Sequence, residues 1–340
     1  MNRSLAKPIS RLVTLSLALL AASSGGAQTI RHVSTFATGT AVNATGPDSL
    51  AVGGNSLWVS YTNGADSTGA SGSSTVVQYK FNGQVRHTYS IPGSVDGLKV
   101  DPKTGLVWAL QNQDGNSTLT LINPKTKTTT GPIPYAVTSS TQGYDDVVFR
   151  FDKVFLSYTN PASPTDPTIQ VLKNGSNPLV VTPILLMGAT GTNLATGTVG
   201  PTTQNDPDSL KLAPNGDLML SSGDDGQLIF VSHPGSCDQS VSFLSLLDPS
   251  GANVKGLDDA VFATSERGRF YLADTNNNRI LRIDAENLAI GSLYASVSSL
   301  QEVGLVDLKT GKLTAFLPGL NGPHGLLFLP DAEDDDSNGQ

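Results

Sequence analysis

One cysteine, Cys237, in 340 residues rules out a disulfide framework within the chain. Four histidines in unlike contexts argue against a His-rich metal site. No stretch keeps a helical hydrophobic period. Gly-x-Ser-x-Gly, His-Glu-x-x-His, a phosphate loop and a cysteine pair are all missing. That removes the common signatures of serine hydrolases, zinc proteases and nucleotide-binding enzymes. Positive charge is also short, with 21 Lys and Arg against 29 Asp and Glu. Three of the basic residues (Arg3, Lys7 and Arg11) lie in residues 1–27, which hold no acid. Beyond them 18 basic residues face 29 acidic ones, a net charge of −11. An acidic surface excludes nucleic acid and anionic membranes as partners and suits cations.

The basic start of residues 1–27 leads into an apolar run from Leu12 to Ala22 and then to Gly25-Gly26-Ala27. This is the layout of a secretory signal peptide, and the run is too short to span a membrane. The expectation is a bacterial exported protein, periplasmic or extracellular, whose chain proper begins at Gln28. Residues 28–330 read as one domain, and 331–340, with Glu333, Asp334, Asp335 and Asp336, as a disordered, solvated acidic tail.

Glycine, serine, threonine, asparagine and proline dominate what remains, a composition for short strands joined by turns. One phrase recurs: a turn, a chemically marked residue, a short apolar strand, a tight connection, and a second strand ending in Asn or Asp. Its fullest form is Gly256-Leu257-Asp258-Asp259-Ala260-Val261-Phe262, followed by Arg269-Phe270-Tyr271-Leu272-Ala273-Asp274-Thr275-Asn276. The marked residue falls at Asp48, Asp96, Asp145, Asp208, Asp258 and His324. A period of about fifty residues with strand content marks a β-propeller. Counting candidate strands gives 24, which is six blades of four. Thr29 to Phe36 supplies one strand and Leu326 to Leu329 another, so the chain ends meet in the sheets. A five-bladed ring with irregular closure is the competing count. The expected fold class is therefore all-β, a six-bladed propeller of four-stranded blades. Leu50, Val52, Leu98, Val100, Val147, Leu210, Leu212 and Val261 are the expected inner-strand core, alternating with channel-facing positions.

First strands line the central channel of a propeller. The five carboxylates and His324 are thus expected at one mouth, with Asn63, Asn112, Asn160, Asp224 and Asn276 as a second tier close by. Carboxylates that converge repel one another unless a positive charge joins them. Asp and Asn oxygens are ligands for Ca²⁺ or another divalent cation. The same Asp residues can instead make Asx turns at the starts of strands. His324 breaks the symmetry and could be a ligand, a general base or a channel residue with satisfied hydrogen bonds. The stretch Met187 to Asp206 reads as a flap over the mouth or as a surface insertion.

Ala273-Asp274-Thr275-Asn276-Asn277-Asn278-Arg279-Ile280-Leu281-Arg282-Ile283 resembles the second and third strands of NHL-type repeats. With Gly256 to Phe262 before it, the region is also similar to the gluconolactonase and senescence-marker family. That resemblance implies a six-bladed propeller with one divalent cation in the channel mouth. The cation would polarise an ester carbonyl, and an Asp would act in acid–base chemistry. By position, Asp258 stands for the family's ligand Asn and Asp208 for its acidic residue. The chain departs from the family at Thr45, where the lactonases carry Glu before Gly-Pro. Two functions follow. The first is an exported NHL-like propeller that binds a small molecule or protein at its channel mouth, as a monomer, with a divalent cation. The alternative is a metal-dependent hydrolase of the gluconolactonase type, with Asp208 or His324 as catalytic base. Thr45 favours binding.

Overall fold

The computed structural model describes residues 28–331 apart from Asn174. The expected signal peptide and almost all of the acidic tail lie outside the described residues. Six four-stranded antiparallel sheets stand around a channel, and their innermost strands neighbour one another in a closed ring. Closure leaves no inner edge exposed. Blade 1 is built in sequence from Pro47–Gly53, Ser56–Tyr61, Ser73–Tyr79 and Val85–Pro92. Blades 2 and 3 begin at Val95–Val100 and Tyr144–Arg150 and follow the same plan. Blade 4 begins at Pro207–Leu212.

The last two blades exchange strands. Leu257–Phe262 is the inner strand of blade 5, but its partner is Leu293–Val297, followed by Glu302–Val306 and Leu313–Pro318. The strands in between, Arg267–Asp274 and Arg279–Glu286, belong to blade 6. Its inner strand is Pro323–Pro330 and its outer strand is the N-terminal Thr29–Thr38. The fullest form of the repeat phrase therefore joins strands of two blades, which corrects its reading as one blade. The second-strand serine shows the true equivalence. Ser60 in blade 1, Ser157 in blade 3 and Ser296 in blade 5 each accept the N–H of a residue beside the marked one, at 2.8–3.0 Å.

Apolar side chains pack chiefly between blades, with one cluster at each of the six interfaces. Trp58, Tyr89 and Ile91 of blade 1 meet Val95, Leu98 and Val107 of blade 2. Phe270 of blade 6 meets Tyr294 of blade 5 with ring centroids 4.7 Å apart. Each such cluster ties one blade to the next, so the ring is held together by area removed from water. Leu50, Leu98, Val147, Leu210 and Val261 are buried as expected. Val52 and Val100 are half-buried, and Leu212, at the far end of its strand, is 41% exposed.

The Met187 to Asp206 stretch forms no flap over the mouth. Its hairpin, Thr190–Asn193 with Val199–Pro201, adds to the outer edge of blade 4 by parallel pairing with Ser240–Ser245. Among the described residues no helix is long and apolar enough to cross a membrane.

Candidate functional site

Each inner strand starts with a break in register against its neighbour. The shifts lie at Pro47/Leu50, Val95/Gly97, Tyr144/Val147, Pro207/Leu210, Leu257/Ala260 and, across the blade 6 pair, Leu272/Asp274. A bulge of this kind turns two successive residues toward one side, which strict alternation forbids. In consequence Asp145 and Asp146 both line the channel mouth, as do Asp258 and Asp259, Asp48 and Ser49, and Asp208 and Ser209. Where the second residue is glycine the reason is a close approach. A Cβ on Gly97 would sit 1.8 Å from the Asp145 carbonyl oxygen, and one on Gly325 would sit 2.4 Å from that of Asp48.

The six marked residues share one mouth, a polar cavity of about 160 Å³ that also reaches Gln113 and Asp206. His324 Nδ1 stands 3.0 Å from Asp48 Oδ1 and 3.1 Å from Asp258 Oδ1. Ligand atoms of these three residues lie within 4.8 Å of one another. Asp96, Asp145 and Asp208 are in the mouth but outside that trio. Asp96 Oδ2 is buried and has no hydrogen-bond partner among the described residues.

Burial, reinforced by Asp48, pushes the Asp96 carboxyl well above the usual carboxylate range. Burial, then Asp96 and Asp146, does the same to Asp145. Asp208 is raised by burial and by the charges of Asp145 and Asp258. Asp206 is pushed up to about 6 by burial and by Asp224. His324 goes the other way in charge. The Asp258 carboxylate, outweighing burial, holds its proton so that its pKa rises to about 11, with the hydrogen bonds to Asp258 and Asp48 helping.

A second layer lies just below, and the sequence reading missed it. Asp146 and Asp259 are buried there, facing the half-buried Lys99 and Lys211, two lysines that each lie three residues beyond a ring Asp on an inner strand. Lys211 Nζ is 2.9 Å from Asp259 Oδ2 and 3.4 Å from Asp146 Oδ2, and Lys99 Nζ is 3.4 Å from Asp146 Oδ2. Asp146 also accepts the N–H groups of Val147 and of Leu210 in the next blade. Asp259 likewise accepts those of Ala260 and of Leu326 in the next blade. Burial would raise the Asp146 carboxyl, but the two lysines and these N–H groups hold it below its usual range. The doubled acids at 145–146 and 258–259 were the available signal. Alternation assigned the second member of each pair to the wrong side.

The expected second tier does not line the cavity. Asn63 accepts the Thr45 N–H at 2.9 Å and donates to Ser73 and Thr75. Asn112 accepts the Ser94 N–H and donates to the Asn116 carbonyl. Asn160 donates to Asp114, and Asn276 to Asn321. Asp224 stands near enough to raise Asp206 electrostatically. Asn63, Asn112 and Asn160 have φ of 55°, 64° and 52°, a left-handed turn geometry that Asn tolerates.

The residues present suit a cation. Carboxylate oxygens converge, one of them without a partner, and a single imidazole nitrogen faces two of the carboxylates. Asp48, Asp258 and His324 would hold the ion.

No family model matches the chain, and no curated protein does. Solved structures similar in fold include a putative gluconolactonase, with 14% identity, a TM-score of 0.47, and coverage of 85% of this chain and 82% of that one. A streptogramin B lyase has 11% identity and a TM-score of 0.49, covering 86% and 90%. The periplasmic gluconolactonase of Pseudomonas aeruginosa has 12% identity and a TM-score of 0.47, covering 83% and 88%. At these identities the likeness is one of fold and leaves the site to be judged by its own geometry. The chain is a six-bladed β-propeller similar in fold to these proteins.

Proposed function

We propose that this propeller is an exported binding protein whose channel mouth holds a divalent cation through Asp48, Asp258 and His324. The observation that carries the reading is the imbalance between the two layers. Two lysines face two carboxylates below, whereas five carboxylates face one imidazole above. Charge left over in the upper ring is the charge that a cation relieves. Carboxylates alone suit Ca²⁺, and an imidazole among them extends the fit to Mn²⁺. The ion would compete with the proton on His324 Nδ1, so binding releases protons. A cavity of about 160 Å³ leaves room for a small polar ligand beside the ion.

One observation favours the hydrolase alternative. Asp208, held well above the usual range by burial and two neighbouring charges, is a carboxyl whose proton affinity suits a general base. His324, engaged by two carboxylates, does not suit that role. When bound, the cation would supply Lewis acidity toward an ester carbonyl. Asp208 would then take a proton from water.

Calorimetric titration of Ca²⁺ and Mn²⁺ into chelator-treated protein tests the site. One bound ion is expected, lost in Asp258→Asn and in His324→Ala. Absence of binding by either ion would end both readings. Ion binding with turnover of simple lactones that Asp208→Asn abolishes would select the hydrolase. Export is supported by the layout of residues 1–27. The secreted protein should begin at Gln28 on N-terminal sequencing, and retention of Met1 would refute this.

A further inference from the structure

In the lower layer Lys211 of blade 4 bridges carboxylates two blades apart. Its Nζ is 2.9 Å from Asp259 of blade 5 and 3.4 Å from Asp146 of blade 3. In the mouth, His324 of blade 6 does the same for blades 5 and 1, with Nδ1 3.1 Å from Asp258 and 3.0 Å from Asp48. The other half of the mouth has no such bridge. Asp96 of blade 2 and Asp208 of blade 4 are again two blades apart, but blade 3 presents Asp145 between them, an acid where the other bridges have a base. Whether an ion or the protonated imidazole holds Asp48 and Asp258, these three carboxyls have no basic partner among the described residues.

A second observation does not depend on charge. Ser209 lines this half of the mouth and is only 8% exposed, yet its hydroxyl has no hydrogen-bond partner among the described residues. Its equivalent in blade 1, Ser49, accepts the Leu98 N–H at 3.1 Å. The Asp145 carboxyl, also 8% exposed, likewise has no hydrogen bond there. Polar groups this deep are ordinarily satisfied, so a hydroxyl and a carboxylate left open on one cavity point to a ligand.

Spacing and lining decide what the missing bridge is. A metal ion holds oxygens at about 2.3–2.6 Å. Among the described residues only Asp48, Asp258 and His324 gather ligand atoms within 4.8 Å of one another. An ammonium reaches oxygens at about 2.7–3.2 Å, and the Lys211 ammonium already bridges carboxylates two blades apart in this channel. No aromatic ring lines the mouth, so a quaternary ammonium would find no cage. A cavity of about 160 Å³ admits only a small molecule, and Asp206 on its lining offers a second anchor.

We infer that Asp96, Asp145 and Asp208 form a subsite for a primary ammonium group, and that the ligand of the mouth is a short diamine. One ammonium lies among these three carboxylates and the Ser209 hydroxyl, and the other faces Asp206. The inference rests on the reading of the mouth as a ligand site but not on the ion.

1,3-Diaminopropane, doubly charged at neutral pH, is the probe, titrated calorimetrically into chelator-treated protein with and without saturating Ca²⁺. One molecule per chain is expected in both states. Asp145→Asn removes a repulsive charge and so should not threaten folding, yet it should weaken the diamine about tenfold or more, the scale of losing a charge-assisted bond. Ser209→Ala should weaken it by a smaller factor. 1,3-Propanediol, of the same length and uncharged, should not bind, nor should the fully methylated quaternary analogue. Asp258→Asn, which loses the ion, should still bind the diamine, and Asp145→Asn should still bind the ion, so failure of either site is read separately. The inference is overturned if the diamine shows no saturable binding, if propanediol or the quaternary analogue binds as well, or if Asp145→Asn binds the diamine like the parent. Uptake of a second Ca²⁺ that shuts out the diamine would overturn it too.

Discussion

The two layers of the channel contain the same acid in opposite circumstances. Asp146 and Asp259 are deep, but each has a lysine within 3.4 Å and two backbone N–H donors. Asp96, Asp145 and Asp208 stand nearer the opening with no lysine and no arginine in an ion pair with them among the described residues. The difference teaches that burial alone does not tell whether a carboxylate is structural. What tells is whether its charge is already answered. A buried charge with its partners in place belongs to the scaffold, and one without them is available to a ligand.

Breaking the answered layer should have the largest effect. Lys211→Met leaves two buried carboxylates short of a partner, and loss of one member of a buried pair costs about 3–5 kcal/mol. Urea denaturation should show a midpoint well below that of the parent. An unchanged midpoint would mean that the lower layer contributes nothing to the fold.

Answering the upper ring from outside should have the next largest effect. At a hundredfold excess over its dissociation constant, a cation stabilises the folded chain by about 2.7 kcal/mol. Chelator-treated protein should therefore melt several degrees higher in Ca²⁺ or Mn²⁺, and Asp258→Asn should abolish the gain. No change in melting temperature on adding either ion, or on chelation, would count against the mouth as a cation site.

Acidity sets the upper ring apart from Asp146 without mutation, whereas burial raises Asp259 as well, against the pull of Lys211. Asp206, raised to about 6, binds more proton when folded than unfolded, so its penalty is absent below about pH 4 and complete above pH 6. The raised ring carboxyls act in the same direction. His324, raised to about 11, contributes stability that is full below about pH 6.5 and lost as pH rises toward 11. The Asp146 contribution is lost only as pH falls below the ordinary carboxylate range. Lys211, where Asp259 and Asp146 outweigh burial and raise the pKa, loses its contribution only above the ordinary lysine range. The metal-free protein should thus lose stability steadily from pH 5 to pH 9. A melting temperature that rises over this range would show that the ring is not the repulsive cluster described.

The smallest effect belongs to a single ring residue. Asp208→Asn removes one charge from the cluster and should raise metal-free stability by about 1 kcal/mol, in the ordinary range of point changes. A loss of similar size would instead make Asp208 a turn-former, the reading in which these acids serve the backbone.

Much of this was legible in the residues. Asp48, Asp96, Asp145, Asp208, Asp258 and His324 were expected at one mouth and are found there, because a repeat at the start of each inner strand must return to the same place in a ring. Asp146 and Asp259 were not legible as channel residues, since alternation turned them away and only the bulge brought them back. The second tier illustrates the converse. Asn63 and Asn112 occupy equivalent positions after second strands, but their amides satisfy local backbone groups and have no reach into the cavity. The blade 5 and 6 exchange was equally hidden. Arg267–Asp274 has the same apolar character as Leu293–Val297, and both offer the same backbone donors and acceptors to Leu257–Phe262.

By itself, then, the order of residues determined the six blades of four strands and the ring of acids, though not the hairpin added to blade 4, because spacing and alternation are local properties of a chain. Only the tertiary structure decided which strand pairs with which in the last two blades, and which face each acid presents. Backbone hydrogen bonds carry no residue identity. The choice between partners therefore falls to side chains packed across blade interfaces, such as Phe270 on Tyr294 and Tyr271 beside Leu50, contacts between residues distant in sequence that exist only once the ring has closed.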